Sequence, residues 1–396
     1  MKRIAVVLIF LLALTPSAYA APKSLVMKKL DLLTSAQGAE GLLISGKTLI
    51  TYLNTGGDNS NIVLTGLDPA GAQLWQKSID SGADEIAMAG AIDNAGNLWL
   101  AGDSAPLTAL DTTTIQLPPD NPDGVVAELP TPLRSDMNLL TLWKLSSTGE
   151  LLATYSLVQT SPALVNAISV NATGVSLVGQ LGDKPFAISV SSTGSFGKLL
   201  TVGTSKTQLS AVLRNLDGTM NVFGSSSETI AGKKVVGIRD GILLKINKAG
   251  VITTAIRSSA TKAVRSWNYS DSSFTLTGPV TTGKKVESAF TKFTPALAPT
   301  WTVRVPSNGI SLVATGGAIT YAVLGSDSAI AGISGWKPNA YNLVLLTFDG
   351  KGTLTGGYSA TELVSPTAIA YSKELGIYGL ALASDGSVSI FHLAAR

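Results

Sequence analysis

Cysteine is absent from the 396-residue chain and histidine occurs once. The first absence excludes disulfides, thiolate zinc sites, iron–sulfur clusters and cysteine nucleophiles. The second excludes multi-histidine metal sites. Charge is scarce too: Asp, Glu, Lys and Arg make up 14% of the chain, against about 25% in an average domain. With 45% hydrophobic residues beside so little charge, intrinsic disorder is excluded, because disordered chains are charge-rich and apolar-poor. Past the N-terminus no apolar run approaches the roughly 18 residues that a spanning helix needs. Helical periodicity is nearly absent. What the chain has in quantity is glycine, 40 residues of it, punctuating short runs of Val, Ile, Leu, Thr and Tyr.

The first twenty residues read as an export signal. Lys2 and Arg3 precede an apolar run over residues 4–14, and Ala18-Tyr19-Ala20 forms a small-x-small cleavage site. Cleavage after Ala20 is expected, placing the protein outside the cytoplasm, secreted or periplasmic. The lack of a twin arginine favours the general secretory route, and with no cysteine a lipid anchor cannot form. Losing Lys2 and Arg3 lowers Lys plus Arg from 29 to 27 against 26 Asp plus Glu, a net charge of about +1. That balance gives no electrostatic case for nucleic acid or an anionic membrane. Residues 21–396 are expected to form one domain, and a monomer.

The runs read as strands, and they repeat, which points to a propeller. A strand b entered from a Gly or Ser turn recurs at 46–53, 96–102, 174–179, 218–224, 272–278, 317–325 and 376–383. A strand c follows at 61–68, 138–146, 184–191, 240–247, 287–294, 341–349 and 387–393. A strand d then comes at 73–78, 151–158, 196–202, 251–257, 299–305 and 353–359, and a strand a precedes each b. The seventh c runs into the C-terminus, while 24–33 stands unused at the start. The sequence therefore predicts an all-β, seven-bladed β-propeller of four-stranded antiparallel blades, with the N-terminal strand completing the last blade. Six or eight blades are the alternatives, because the first and last units are the least regular.

Two repeats carry further marks. Asp93-Asn94-Ala95-Gly96-Asn97 leads into strand b of the second repeat, and Lys245-Ile246-Asn247-Lys248-Ala249-Gly250 ends strand c of the fourth. These resemble the bacterial β-propeller repeat called SBBP. The resemblance implies extracytoplasmic bacterial proteins and no particular reaction or ligand; its repeated residues are turn and packing positions.

Chemical candidates are few. His392 falls in a polar column of the c strands with Gly66, Lys144, Ser189, Lys245, Lys292 and Thr347, where it reads as a half-exposed strand residue. A general base would want a partner nucleophile and an orienting group, and no such set is visible. The long b–c insertion at 103–137 in blade two carries Asp103, Asp111, Asp120, Asp123, Glu128 and Asp136. Asp120 and Asp123 offer oxygens that calcium could use, without the EF-hand spacing. Otherwise no cofactor is expected.

The b–c connections at 103–137, 225–239, 279–286 and 326–340 are long and unequal, whereas the c–d turns are short. Variation confined to one face of a rigid scaffold is where binding resides. Blade two is acidic there, and blades four to six carry Lys233, Lys234, Arg239, Lys284, Lys285 and Lys337. Trp336 and Tyr341 beside Asn339 suit stacking on a sugar or a protein. The function expected is a non-enzymatic module that binds a protein or glycan through this face. The alternative is a carbohydrate-active hydrolase or lyase using two loop carboxylates at the propeller mouth. A passive surface module would instead expose apolar d-strand residues such as Trp75 or Leu199.

Overall fold

The structure, a computed structural model, describes residues 24–56, 59–107 and 136–395. The expected leader, and Asp111, Asp120, Asp123 and Glu128 of the insertion, lie outside the described residues. The described chain folds into seven blades, each built on four antiparallel strands a-b-c-d, which follow in sequence order in every blade but the seventh. Blade one runs Gly41–Ser45, Thr48–Asn54, Ile62–Leu67 and Gln73–Ile79. Blade two runs Glu85–Ile92, Leu98–Ser104, Leu139–Leu145 and Leu151–Val158. Contacts between the inner strands of successive blades carry the ring from blade one to blade seven and back. The seven-bladed propeller expected from the repeats is the fold, and the six- and eight-blade alternatives fall away.

The core is divided among the seams. Seven clusters of buried side chains each draw on two neighbouring blades. Between blades seven and one, for example, Leu42, Leu49 and Leu67 meet Tyr378, Leu380 and Ile390. This is why the b and c strands read as near-continuous apolar runs: both faces of each blade's middle are covered.

One close approach explains why strand b so often ends at Gly. Strand a carries a bulge between Ala87 and Ala89, between Val165 and Ala167, and between Leu209 and Ala211. Each bulge drives a strand-a carbonyl against strand b. A Cβ on Gly102, Gly179 or Gly224 would sit 1.8, 2.0 or 1.9 Å from the oxygen of Ile86, Leu164 or Gln208, so no side chain fits.

The turns repeat as well. In five of the c–d turns a side-chain oxygen accepts the N–H groups two and four residues on: Asp68, Ser146, Ser191, Asn247 and Asp349. A glycine with positive φ follows three residues after each. Blade five departs from this: Leu297 holds the glycine position at φ 62°. The strain of about 1–2 kcal/mol is offset by burial, since Leu297 is 2% exposed between blades four and five.

The N-terminal strand corrects the expectation in part. Asp31–Ser35 pairs antiparallel with Val388–Ala394 and is the d strand of blade seven, as the chain ends required. The residues before it do not extend that strand. Lys28–Lys29 runs parallel to Tyr358–Ser359 as a fifth strand on blade six, and Leu25–Val26 pairs with Ile333–Ser334 of the blade-six b–c loop. Leu30, between the two pairings, donates its N–H to Ser359 and is fully buried in the six–seven seam.

Three other expectations need correction. The d strand of blade three shrinks to Leu200–Thr201, because Gly197 bonds back to Ser189 and ends the regular ladder early. Strand a of blade five splits into Ala263–Arg265 and Tyr269–Ser270, as Trp267 leaves the ladder to bond Gly224 of blade four. The blade-five b–c connection at 279–286 is no loop: Thr275–Thr282 and Lys285–Phe293 form a hairpin tipped by Gly283 and Lys284.

Leu30→Ala should leave a cavity in the six–seven seam and cost about 2–5 kcal/mol. Urea unfolding followed by far-UV circular dichroism checks this; a loss under 1 kcal/mol would show that the strap is peripheral.

Candidate functional site

Because strands alternate in direction, the b–c loops, the d–a connections and the start of every strand a share one end of the ring. Three features meet there: the mouth of the axial cavity, a buried acidic group on blades one to three, and a basic group on blades four and five.

The axial cavity has a volume of about 300 Å³ and is lined by strand-a residues of all seven blades. The bulges set part of its wall, turning Met88, Asn166, Ser210 and Thr367 into it. Tyr52 and Tyr269 also line it. Burial raises both phenols, Tyr269 to about 12, with Asp271 adding to the effect. Among the described residues of the lining, Glu40 is the one carboxylate, and Asn54 donates to it at 2.7 Å. Glycoside hydrolysis by an acid–base pair would need a second.

The acidic group is inward-facing. Asp84 accepts the N–H of Ser60 at 2.6 Å. Glu85 accepts the N–H and hydroxyl of Ser81. Asp103 accepts the N–H of Ala163 at 2.6 Å. Each therefore ties a loop or a neighbouring blade to the end of the ring. Glu85 and Asp103 are 1% exposed. Burial raises both carboxyls, and lifts Asp103 to about 7 against the opposing pull of the Ala163 bond. Asp103, expected as a ligand contact in an acidic loop, is instead a buried inter-blade tie. Among the described residues no group of three or more His, Asp or Glu side chains is arranged to hold a metal ion.

The basic group has a different character. Arg257 lies across the blade-four b–c loop, donating to the carbonyls of Ser226, Glu228 and Lys233 and to Asp240 at 3.3 Å. Asp240 is fully buried and also accepts the N–H groups of Val236 and Gly237. These bonds hold the loop's backbone in one shape while its Val236 and Ile238 side chains stay 63% exposed. Arg265 sits nearby over Trp267. Lys284 and Lys285 are exposed at the blade-five hairpin, Lys285 pairing with Glu287 at 2.8 Å.

The blade-six loop differs from its sequence reading. Trp336 is half-buried against the five–six core, alongside Ile333, whose strand pairs with the N-terminal strap. It fastens its own loop. Tyr341 is 39% exposed and Asn339 is exposed, so the expected aromatic platform reduces to one ring. Trp75 and Leu199, expected bare on a passive module, are drawn into seam clusters, whereas Leu74, Leu151 and Leu152 are among the apolar d-strand residues left exposed.

At the opposite end, His392 is half-buried, stacks on Tyr378 with centroids 4.2 Å apart, and places Nε2 3.1 Å from the Leu375 carbonyl. Tyr378 in turn donates to the Pro69 carbonyl of blade one. The lone histidine thus helps clasp the closing seam, in keeping with a strand residue.

Sequence reading missed Arg257, Arg265 and Glu85. A charged residue inside an otherwise apolar a or d strand was the available signal, and it marks groups that burial forces into specific contacts.

The chain matches no protein-family model and no curated protein in sequence. Among solved structures it is similar to the WD40 domain of coronin from Toxoplasma gondii, with 12% identity, 94% of this chain and 85% of that chain covered, and a TM-score of 0.51. The Dos1 propeller has 11% identity, with 94% and 96% covered and a TM-score of 0.49. The β-propeller domain of the trilobed protease from Pyrococcus furiosus has 6% identity, with 90% and 95% covered and a TM-score of 0.48. At these identities the likeness is one of fold.

A carboxyl whose folded pKa lies above its unfolded value of about 4 supports folding fully below that pH. It withdraws the support as pH rises through its folded pKa, here about 7. Asp103→Asn should therefore flatten the fall in stability between pH 4.5 and 7.5, by about 2–4 kcal/mol relative to the parent protein. Parallel pH profiles of unfolding free energy in the two proteins would contradict this.

Proposed function

We propose that this protein is an exported, non-enzymatic propeller, secreted or periplasmic and akin to SBBP-repeat proteins, that binds a protein partner through its b–c face. The observation that carries this reading is the pairing, at that end, of exposed aliphatic side chains with a rigidly held loop; the opposite end exposes Leu74, Leu152 and Leu216 on short turns and strand starts alone. Val158 and Leu164 flank the entry to blade three at 72% and 52% exposure, Val236 and Ile238 crown the blade-four loop, and Ile310 precedes blade six at 51%. Scattered exposed aliphatics are ordinary. Their presence on the end that also bears the longest connections and the segregated charges favours a docking surface.

A protein partner is favoured over a glycan on chemical grounds. Sugar recognition leans on exposed aromatic faces, and Trp336 is engaged in its own blade. The tightly hydrogen-bonded blade-four loop would pay little ordering entropy on binding.

A crosslinking pull-down from the source cell envelope tests the reading, using the parent protein, Val236→Asp/Ile238→Asp, and Leu152→Asp. Leu152 is 54% exposed at the opposite end of blade two. Partners captured by the parent should persist with Leu152→Asp and fall at least about tenfold with the double variant, as expected for loss of buried apolar anchors. Equal capture by all three, or loss with Leu152→Asp alone, would refute the proposal.

A further inference from the structure

Among the described residues, three arginines are largely withdrawn from solvent, and two of them are fully engaged. Arg214, 9% exposed, donates to Thr173, Val175 and Ser176 of blade three. Arg257 spans the blade-four loop and pairs with Asp240. Arg265 is the exception. It is 8% exposed, its guanidinium lies 4.3 Å from the ring centroid of Trp267, and its buried Nε has no hydrogen-bond partner. Trp267 is itself fully buried, and its Nε1 also lacks a partner. Two orphan N–H donors thus belong to one stacked pair.

No carboxylate among the described residues balances Arg265. Asp240 is committed to Arg257, Val236 and Gly237. Glu287 is committed to Lys285 and, at 4.0 Å, to Arg304. Burial pushes the Arg265 guanidinium down to about 10, and the charged neighbour that adds to the effect is another cation, Arg304. Arg239 adds a further positive charge. Its carbonyl accepts the backbone N–H of Arg265, and its Nε donates to Ser225 at 2.7 Å. Ser225 pairs across the ladder with Gly241, against which Trp267 Nε1 rests. Arg265 and Trp267 therefore lie where blades four and five meet, at the b–c end, with Arg239 beside them on the blade-four side.

An arginine keeps its proton, so a buried one without a counter-charge is costly. A guanidinium fork and an indole N–H are both pure donors, and the fork matches the two oxygens of an oxyanion. We propose that the b–c end of the seam between blades four and five binds a small oxyanion, a carboxylate or phosphate group, on Arg265, with Arg239 as a supporting donor and Trp267 as the ring that holds the Arg265 guanidinium in place. The site lies on the face read above as a docking surface, yet it stands or falls separately, because its probe is a free anion.

The test titrates sodium phosphate and, in a second arm, sodium acetate into the mature protein, with ionic strength held constant by chloride. Melting temperature is read in the parent protein, Arg265→Met and Arg239→Met. The parent should rise saturably, by about 2 °C at tenfold excess over Kd. Arg265→Met should show no such rise and should melt no lower than the parent in chloride, since it removes an unbalanced buried charge. Arg239→Met, which alters a more exposed group and so serves if the first variant fails to fold, should weaken apparent affinity about tenfold. A rise in both arms assigns the site to oxyanions in general, carboxylates included; a rise with phosphate alone assigns it to phosphorylated groups. No rise in the parent, or equal rises in the parent and both variants, would overturn the proposal and leave adventitious ion binding only.

Discussion

A ring of sheets exists only if its last sheet finds an outer strand, and here that strand comes from the other end of the chain. Asp31–Ser35 pairs with Val388–Ala394, more than 350 residues away. Without it blade seven would present an open ladder edge and the six–seven seam would lose Leu30. The strap does a second task upstream, where Leu25–Val26 and Lys28–Lys29 dress the outside of blade six and fix its b–c loop. Ring closure and the shape of one b–c loop are therefore set by the same dozen residues.

Within blades two, three and four, the controlling contact is the strand-a carbonyl that presses on strand b. It leaves room for a hydrogen atom and nothing larger, which selects glycine. The same bulge rotates a residue into the axial cavity. Local packing, sequence signature and cavity lining thus have one cause. The charged groups follow a related logic. Several of the few charges at the b–c end are fasteners: Asp103 ties blade two to blade three, Asp84 and Glu85 hold the connections from blade one, and Arg257 and Asp240 brace the blade-four loop from within.

This division explains what the sequence revealed. Blade number, strand order and the closing strand were legible because a fourfold strand pattern repeated seven times leaves few foldings, and because Gly-punctuated turns mark its phase. The breaks in pattern were not legible. The exit of Trp267 from its strand, the shrunken d strand of blade three and the blade-five hairpin each depend on contacts with a neighbouring blade, which no local pattern encodes. The burial of two candidate residues was not legible either. Loop position marked Asp103 and Trp336 as exposed, whereas burial against adjacent blades made both of them fasteners. Arg265 was hidden for the same reason: its significance lies in what does not pair with it.

The account rests most heavily on closure by the N-terminal strand, and native-state amide hydrogen exchange tests it directly. If the ring is one cooperative unit, amides of Asp31–Ser35 should exchange only through global unfolding, with protection equal to that of the inner strand Thr207–Arg214. Exchange of 31–35 orders of magnitude faster, while the inner strands stay protected, would mean that the ring holds without its closing strand and would contradict the account.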